Sequence, residues 1–310
     1  MNDVLEIRNP QSVIEFVPEI LVNLKKEEQR HLYPSNFLDR GLQMEITDKY
    51  RQYLVDWLAE LHYKFKMWPE TLFVTVGIID KTLQKWQKFR KADLQCLGIT
   101  ALHIAGKYEE IYPPELKTIL QVIDNAVTRQ QVCAMEAEIL QRLDFDLVWP
   151  SILRFMQRYA CISNFSNDQN MIAQMFCDFM LLNTSLLQHK PSLLGAVAIY
   201  ATNKITNRKY PWNASLRKCT LGIQEDDVKH LANELFYFVK TLERSSLKTM
   251  FRKYELQSYL GVVNVLQKIQ MPNSANAGAG VTTGGAQTGQ QPPFNQGQQE
   301  KSAPQPQEHQ

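Results

Sequence analysis

A chain of 310 residues is long enough for about two domains with sizeable cores. Its 34 Lys and Arg against 32 Asp and Glu give a formal net charge of +2, which argues against nucleic-acid binding through bulk charge. The longest apolar run, residues 193–201, is far shorter than the roughly 20 residues that span a bilayer, so no transmembrane helix is expected. Five scattered cysteines without a Cys-x-x-Cys pair indicate neither a disulfide framework nor a zinc site.

Apolar periodicity predicts a body made of helices. One stripe recurs at helical spacing from Tyr50 through Leu54, Trp57 and Leu61 to Phe65. Nearly every proline before residue 272 separates two periodic segments, as helix punctuation does. Besides the helix that carries this stripe, the pattern predicts helices over 12–29, 70–87, 93–110, 115–122, 128–144, 151–162, 168–187, 191–206, 213–220, 224–242 and 245–256.

The end of the chain has a different composition. Residues 272–310 hold five prolines, six glycines and nine glutamines, with almost no aliphatic side chains. Such a segment cannot bury enough apolar surface to offset the entropy of ordering, so we expect a disordered tail without a readable role. The first ten residues are too polar for a secretory signal, so we expect the protein to be made and kept in the cytosol or the nucleus.

The body contains an internal repeat with an offset of 97 residues. At this offset Leu97-Gly98 falls on Leu194-Gly195, and Ala101 falls on Ala198. Both segments are helices rich in small residues, which let neighbouring helices approach closely, so each is expected at the centre of a bundle. The sequence therefore predicts two similar domains of about five helices, preceded by an extra helix, with their junction near residues 149–150.

Two runs in the first repeat resemble the signature of a cyclin box: residues 51–58 read RQYLVDWL, and residues 107–115 read KYEEIYPPE. Shorter runs agree with them, and together they are most similar to mitotic A/B-type cyclins, nearer to the B type. The resemblance covers roughly residues 14–265 and weakens in the second repeat. It implies an all-α chain with an N-terminal helix and linker (1–45), two cyclin folds (46–148 and 149–265) and the tail (272–310).

Membership of that family implies a regulatory subunit that binds and activates a cyclin-dependent protein kinase. The partner kinase would supply the catalytic groups and bind the nucleotide, so the chain is expected to be no enzyme and to need no cofactor or metal. A mitotic role at the G2/M transition and a location in nucleus and cytoplasm follow from the same likeness. The alternatives are a transcription-linked cyclin and, less favoured, a transcription factor with two cyclin folds. The latter should be basic and preceded by a zinc ribbon, which this chain lacks.

The resemblance assigns a kinase-binding surface centred on two charges. Lys107 and Glu136 match cyclin residues that bind backbone groups of the kinase near its helix αC. An ion pair that only ties two helices together is the alternative, and the two roles are compatible. The remaining positions that match this surface are Tyr108, Glu110, Ile111, Leu140 and Phe145; for Leu140 and Phe145, packing inside the first bundle is an equal alternative.

A second matched pair, Arg51 and Asp80, is interpreted as structural, because a buried Arg and carboxylate can form a bidentate bond. Cyclins of this class also dock substrates or inhibitors that carry an Arg-x-Leu motif. The matching patch comprises Tyr50, Tyr53, Leu54, Trp57, Glu60, Leu61, Leu94 and Gln95. Glu60 would accept the incoming Arg. Two tyrosines replace the usual Met and Ile, and some residues of this stripe must face the core instead, because one stripe cannot face both ways.

Catalytic constellations are not convincing in the sequence. The six histidines are scattered, and none lies four residues from another. Glu109 and Glu110 are adjacent, so on a helix they point about 100° apart and cannot form an acid/base pair. Phosphate-cradling glycine motifs are also missing. These observations agree with a regulatory rather than a catalytic chain.

Overall fold

The structure is a computed structural model that describes residues 14–32, 38 and 42–269. The tail expected over residues 272–310 lies outside these residues. Within them the chain forms helices and turns but no strand. The α-helices, numbered in chain order, are α1 (Val17–Arg30), α2 (Asp48–Lys64), α3 (Pro69–Lys85), α4 (Leu94–Glu109), α5 (Leu116–Val122), α6 (Arg129–Arg142), α7 (Ile152–Ile162), α8 (Asn167–Met180), α9 (Thr184–Leu187), α10 (Pro191–Ile205), α11 (Ala214–Cys219), α12 (Glu225–Glu243) and α13 (Thr249–Glu255). Short 3₁₀ helices cover Ile14–Phe16, Lys91–Asp93, Gln257–Tyr259 and Val262–Lys268.

The helices form two bundles that match the predicted repeat. In the first bundle α4 lies at the centre, and eleven of its sixteen residues are buried. In the second bundle α10 has the same place, with twelve of fifteen residues buried. The predicted all-α architecture of two tandem bundles with an extra N-terminal helix is therefore confirmed. No helix in the described part of the chain is long and apolar enough to cross a membrane.

The equivalent glycines of the two repeats explain why the central helices need small residues. A Cβ built on Gly98 would lie 2.7 Å from Leu54 Cδ1, and one on Gly195 would lie 2.9 Å from the backbone nitrogen of Met156. The central helix of each bundle thus meets its neighbour at these points without room for a methyl group. In the second bundle the neighbouring atom belongs to the backbone of Met156, so at Gly195 the main chains of two helices are in contact.

The N-terminal helix α1 is fixed to the second bundle by polar contacts. Glu28 is buried, and its carboxylate accepts the Ser192 backbone N–H at 2.9 Å and the Ser192 hydroxyl at 2.8 Å. It thereby caps the N-terminus of α10 from another helix. Lys25 Nζ donates to the carbonyl oxygen of Thr220 at 2.5 Å. These bonds set the angle at which α1 lies across the bundle.

Helix α13 joins the two bundles. Asp56 on α2 accepts the backbone N–H groups of Thr249 and Met250, each at 3.3 Å, and so caps the start of α13. At the other end of α13, Lys253 Nζ and Tyr254 Oη each donate to Asp178 Oδ2 at 2.6 Å, and this ion pair is buried. Burial is the largest influence on Asp56, and it raises the pKa of that carboxyl.

Two predicted helices differ from those observed. The segment 168–187 is two helices, because Asn183 caps the short α9 by accepting the Leu186 N–H at 3.1 Å. The helix expected over 245–256 begins only at Thr249, where Asp56 supplies the cap. In the first case the Asn183 side chain starts a new helix, and in the second a distant side chain fixes the first turn.

Arg51 and Asp80 lie at the interface between the bundles and are both fully buried. Arg51 Nε donates to Asp80 Oδ1 at 2.6 Å, and its Nη2 donates to Oδ2 at 2.7 Å. The remaining Nη1 donates to the carbonyl oxygen of Leu181 at 2.8 Å, just beyond α8 of the second bundle. One guanidinium therefore ties α2 to α3 and the first bundle to the second.

Candidate functional site

Lys107 and Glu136 meet on one side of the first bundle. Lys107 lies in the last turn of α4, and Glu136 lies on α6; Lys107 Nζ is ion-paired with the Glu136 carboxylate. Their side chains are 43% and 19% exposed, so another molecule can reach both. This ion pair links α4 to α6, as one of the two alternatives in the sequence analysis predicts. Because both side chains are also exposed, the pair is compatible with the other alternative, contact with a kinase. His103, one turn before Lys107, has its pKa lowered by burial and then by the Lys107 ammonium.

Of the four apolar side chains predicted for the same surface as this pair, three face solvent. Tyr108 is 47% exposed, Ile111 80% and Phe145 69%, whereas Leu140 is half-buried. Phe145 has φ of 58°, a left-handed conformation that is rare and costly for a bulky aromatic residue. Its ring is exposed to solvent, so packing in the core does not offset the energetic cost of that backbone conformation. Exposed apolar area of this kind is typical of a protein interface.

Glu110 belongs to the same corner but already has partners in the chain. Its Oε1 accepts the Trp68 backbone N–H at 2.7 Å and the Thr71 hydroxyl at 2.5 Å. Trp68 immediately precedes α3, so Glu110 caps the start of α3 from the end of α4. It therefore holds the corner between the two helices, and its side chain is half-buried.

Three exposed apolar residues extend the surface beyond the predicted set: Trp68, Tyr112 and Val148. They are 64%, 92% and 64% exposed. Trp68 is attached through its backbone to Glu110, and Val148 lines a small cavity together with Tyr108. For Trp68 the sequence offers one signal that it lies outside α3, which is its position directly before Pro69. A residue before a proline favours an extended conformation over a helical one.

The docking patch is divided between core and surface. Leu54, Leu61 and Leu94 are 0%, 4% and 1% exposed and belong to the core of the first bundle. A bound peptide cannot touch them directly, because other side chains cover them. The part of the patch open to solvent consists of Tyr50, Tyr53, Trp57 and Gln95, which are half-buried, and Glu60, which is exposed.

The two tyrosines of the patch are held by hydrogen bonds. Tyr50 Oη accepts from Lys91 Nζ at 2.7 Å, and the same ammonium lies 3.9 Å from the centroid of the Tyr50 ring. Tyr53 Oη is 3.2 Å from Ser246 Oγ, in the segment between α12 and α13. The exposed part of the patch therefore presents aromatic rings held in place by polar groups at their hydroxyl ends.

Among the residues that the structure describes, no group of three His, Cys, Asp or Glu side chains could hold a metal ion. His62 is buried, with Nε2 2.7 Å from the Trp68 carbonyl oxygen, and burial lowers its pKa to about 4. This histidine is a core residue with a polar partner.

The two similar bundles and the exposed ion pair between α4 and α6 define a protein of two tandem cyclin-like bundles. Solved structures share this architecture. A viral cyclin from herpesvirus saimiri superposes with a TM-score of 0.63 at 20% identity, covering 71% of this chain and 96% of that chain. The yeast RNA polymerase II CTD kinase CTDK-1 complex contains a chain that superposes with a TM-score of 0.55 at 14% identity, covering 72% of this chain and 74% of that one.

Family models give the assignment. The model "Cyclin, N-terminal domain" matches residues 19–148, and "Cyclin, C-terminal domain" matches residues 150–268. The chain belongs to the cyclin family.

Among curated relatives, G2/mitotic-specific cyclin-1 of Antirrhinum majus is 32% identical over 252 residues, covering 81% of this chain and 52% of that protein. G2/mitotic-specific cyclin-B of Marthasterias glacialis is 30% identical over 257 residues, covering 83% and 65%. The chain thus spans about half to two thirds of the length of these relatives. The predicted likeness to mitotic B-type cyclins is confirmed.

Proposed function

We propose that this chain is a regulatory subunit that binds and activates a cyclin-dependent protein kinase and controls passage through G2 into mitosis. Its similarity to G2/mitotic-specific cyclins supports the biological role. The observation that carries the binding role is the exposed Lys107–Glu136 pair within a surface of exposed aromatic and aliphatic side chains. Cyclins are regulatory subunits, and we propose that this chain likewise supplies no catalytic group.

The physical basis of activation is a preference for one kinase conformation. In protein kinases a strand-borne Lys must pair with a Glu of helix αC before the phosphates are oriented. To shift a kinase from about 1% to about 99% active, a partner must favour the active form by about 5.5 kcal/mol. A preformed surface can favour that form because its own groups are ordered before the kinase arrives. In this chain Glu110 orders the corner from which Tyr108 and Ile111 project.

Removal of the pair tests the proposal. The full chain is used to capture its kinase from cell extract. The kinase is identified by mass spectrometry, and phosphorylation of a histone substrate is measured against the amount recovered. Lys107→Ala and Glu136→Ala are each expected to reduce kinase capture and activation by at least tenfold, since each change leaves one charge of a contact pair without its partner. The purified chain alone should show no kinase activity.

The matched control is Lys240→Ala, which breaks a partly exposed ion pair with Glu243 on α12, at 3.1 Å. This variant is expected to capture and activate the kinase as the unchanged chain does. Circular dichroism and thermal unfolding establish that all three variants fold. If folded Lys107→Ala and Glu136→Ala variants activate the kinase normally, the pair is only an intrachain tie and the proposed binding surface is wrong.

Two further parts of the proposal concern recruitment and location. We propose that the exposed part of the docking patch binds substrates or inhibitors that carry an Arg-x-Leu motif, with Glu60 accepting the Arg. Titration of a labelled Arg-x-Leu peptide tests this, and saturable binding at tens of micromolar or below is expected. We further propose that the chain works in both nucleus and cytoplasm, which fluorescence imaging of the tagged protein through the cell cycle would test.

A further inference from the structure

The outer face of α2 carries opposite charges at its two ends. Near the start of α2, Lys49 Nζ lies 5.9 Å from the centroid of the Tyr53 ring, and Lys91 Nζ contacts the ring and hydroxyl of Tyr50. Eleven residues after Lys49 along the same helix lies Glu60, which is exposed. A molecule lying along the helix would therefore meet ammonium groups near its start and the Glu60 carboxylate near its end, one turn before the exposed Lys64.

Among the described residues, the ammonium groups at the first end have no carboxylate partner. Neither Lys49 nor Lys91 forms an ion pair with one of these residues, and Lys91 Nζ donates to the neutral Tyr50 hydroxyl. Nearby acidic side chains are bound to other groups: Glu45 accepts the Lys91 backbone N–H at 2.9 Å, Asp48 accepts from Gln52 and Thr184, and Asp93 pairs with Arg90 at 2.7 Å. A carboxylate brought by a ligand could pair with either ammonium group.

Between the charged ends lies the aromatic surface. Tyr50, Tyr53 and Trp57 are half-buried, and the hydrogen bonds of the two tyrosines to Lys91 and Ser246 fix their rings. The leucines beneath are buried, so a ligand side chain would lie on ring faces rather than enter a deep pocket. A single aliphatic or aromatic residue suits such a surface.

We propose that this face docks a linear peptide of mixed charge. Its basic residue lies near Glu60, its apolar residue on Tyr50, Tyr53 and Trp57, and its acidic residue near Lys91 and Lys49. Eleven residues of helix rise span about 16 Å, and an extended peptide covers about 3.3 Å per residue. The two charges of the peptide are therefore about five positions apart. This inference rests on the docking role proposed above and adds the acidic requirement, which an Arg-x-Leu motif alone does not meet.

Fluorescence anisotropy with the full chain tests the inference. The probes are nine-residue labelled peptides with a central Leu and with Arg and Glu five positions apart, made in both orders. Matched peptides carry Gln in place of Glu. At least one order is expected to bind about two- to fivefold more tightly than its Gln counterpart, which is the range for partly exposed charge pairs. Phosphoserine in place of Glu should bind more tightly still, because it carries more negative charge, and added salt should reduce both differences.

Substitutions in the chain test which residues cause the difference in affinity between the Glu and Gln peptides. Lys91→Met should remove most of the difference between the Glu and Gln peptides, whereas Lys240→Met, on α12, should leave it unchanged. Glu60→Gln should weaken binding of every peptide that carries Arg. Equal affinity for Glu and Gln peptides in both orders, or a difference that survives in folded Lys91→Met, would overturn the inference.

Kinase capture in parallel separates this inference from the proposed function. If the chain activates its kinase but does not discriminate the peptides, only the acidic requirement fails. If it discriminates the peptides but captures no kinase, the docking inference stands and the proposed kinase role fails. Failure of all peptides to bind at tens of micromolar overturns the docking surface as a whole.

Discussion

Replacement of Arg51 by Met removes the charge that neutralises a fully buried carboxylate. In the intact protein the guanidinium makes two bonds to Asp80 and one to the Leu181 carbonyl oxygen. Met has a comparable length and is apolar, so it keeps much of the packing while leaving Asp80 without its partner. Helices α2 and α3 would also lose their tie to the second bundle.

The expected loss can be estimated from those contacts. Breaking a buried ion pair by removal of one partner costs about 3–5 kcal/mol, because an uncompensated charge stays in the core. The unpaired Leu181 carbonyl adds to that cost. Small proteins are stable by only about 5–15 kcal/mol, so the variant should lose a large part of its free energy of unfolding. A double change, Arg51→Met with Asp80→Leu, should be less destabilising than Arg51→Met alone.

Urea unfolding followed by circular dichroism measures both variants, and its pH dependence reports the cause. Burial raises the pKa of Asp80, and Arg51 opposes that shift in the intact protein. Without Arg51 the folded variant binds a proton more tightly than its unfolded chain does. Protonated Asp80 costs less to bury, so the stability deficit should shrink as pH falls from 7 towards 4. A deficit below about 1 kcal/mol, or one independent of pH, would refute this reasoning.

Three further outcomes are expected from the same kind of measurement. Burial lowers the pKa of His62 to about 4, so as the pH falls the unfolded chain is protonated at this histidine before the folded chain is. The free energy of unfolding should therefore fall by up to roughly 3 kcal/mol between pH 6.5 and 4. The variant His62→Gln should abolish that fall. Gly195→Ala should cost about 1–3 kcal/mol and more than Gly98→Ala, because its methyl group meets backbone rather than a movable leucine tip. Glu28→Ala should cost about 1–2 kcal/mol and make α1 more sensitive to limited proteolysis, and unchanged protease sensitivity would show that Glu28 does not fix α1.

The fold could be predicted from the sequence because its strongest signals are local or periodic. The stripe on α2 and the small residues of α4 and α10 each have a spacing that only a helix satisfies. The repeat then related the two central helices. The break between α8 and α9 was missed, since the apolar pattern continues through residues 181–182 while the backbone turns.

The site was predicted less completely, because side-chain direction depends on tertiary packing. Leu54 and Trp57 share one stripe, yet the first is buried in the core and the second is reached by solvent. The angle between the two side chains on α2, together with the position of α4, determines which of them is buried. Apolar periodicity identifies the stripe but does not show which of its residues lie in the core and which at the surface. Lys91 escaped notice for a related reason, since its contact with Tyr50 crosses 41 positions of sequence.

Distant caps connect the fold to the proposed binding surface. Helices α3 and α10 both begin with proline, and each is preceded by a residue, Trp68 or Lys190, whose side chain makes no cap hydrogen bond. A glutamate from elsewhere in the fold bonds at each start: Glu110 accepts the Trp68 N–H and the Thr71 hydroxyl at α3, and Glu28 accepts the Ser192 N–H at α10. At these two helix starts an acceptor from elsewhere in the fold takes the place of a local cap. At α3 this acceptor directly follows the exposed end of α4, so the same carboxylate that completes the helix also fixes the backbone that carries Lys107 and Tyr108.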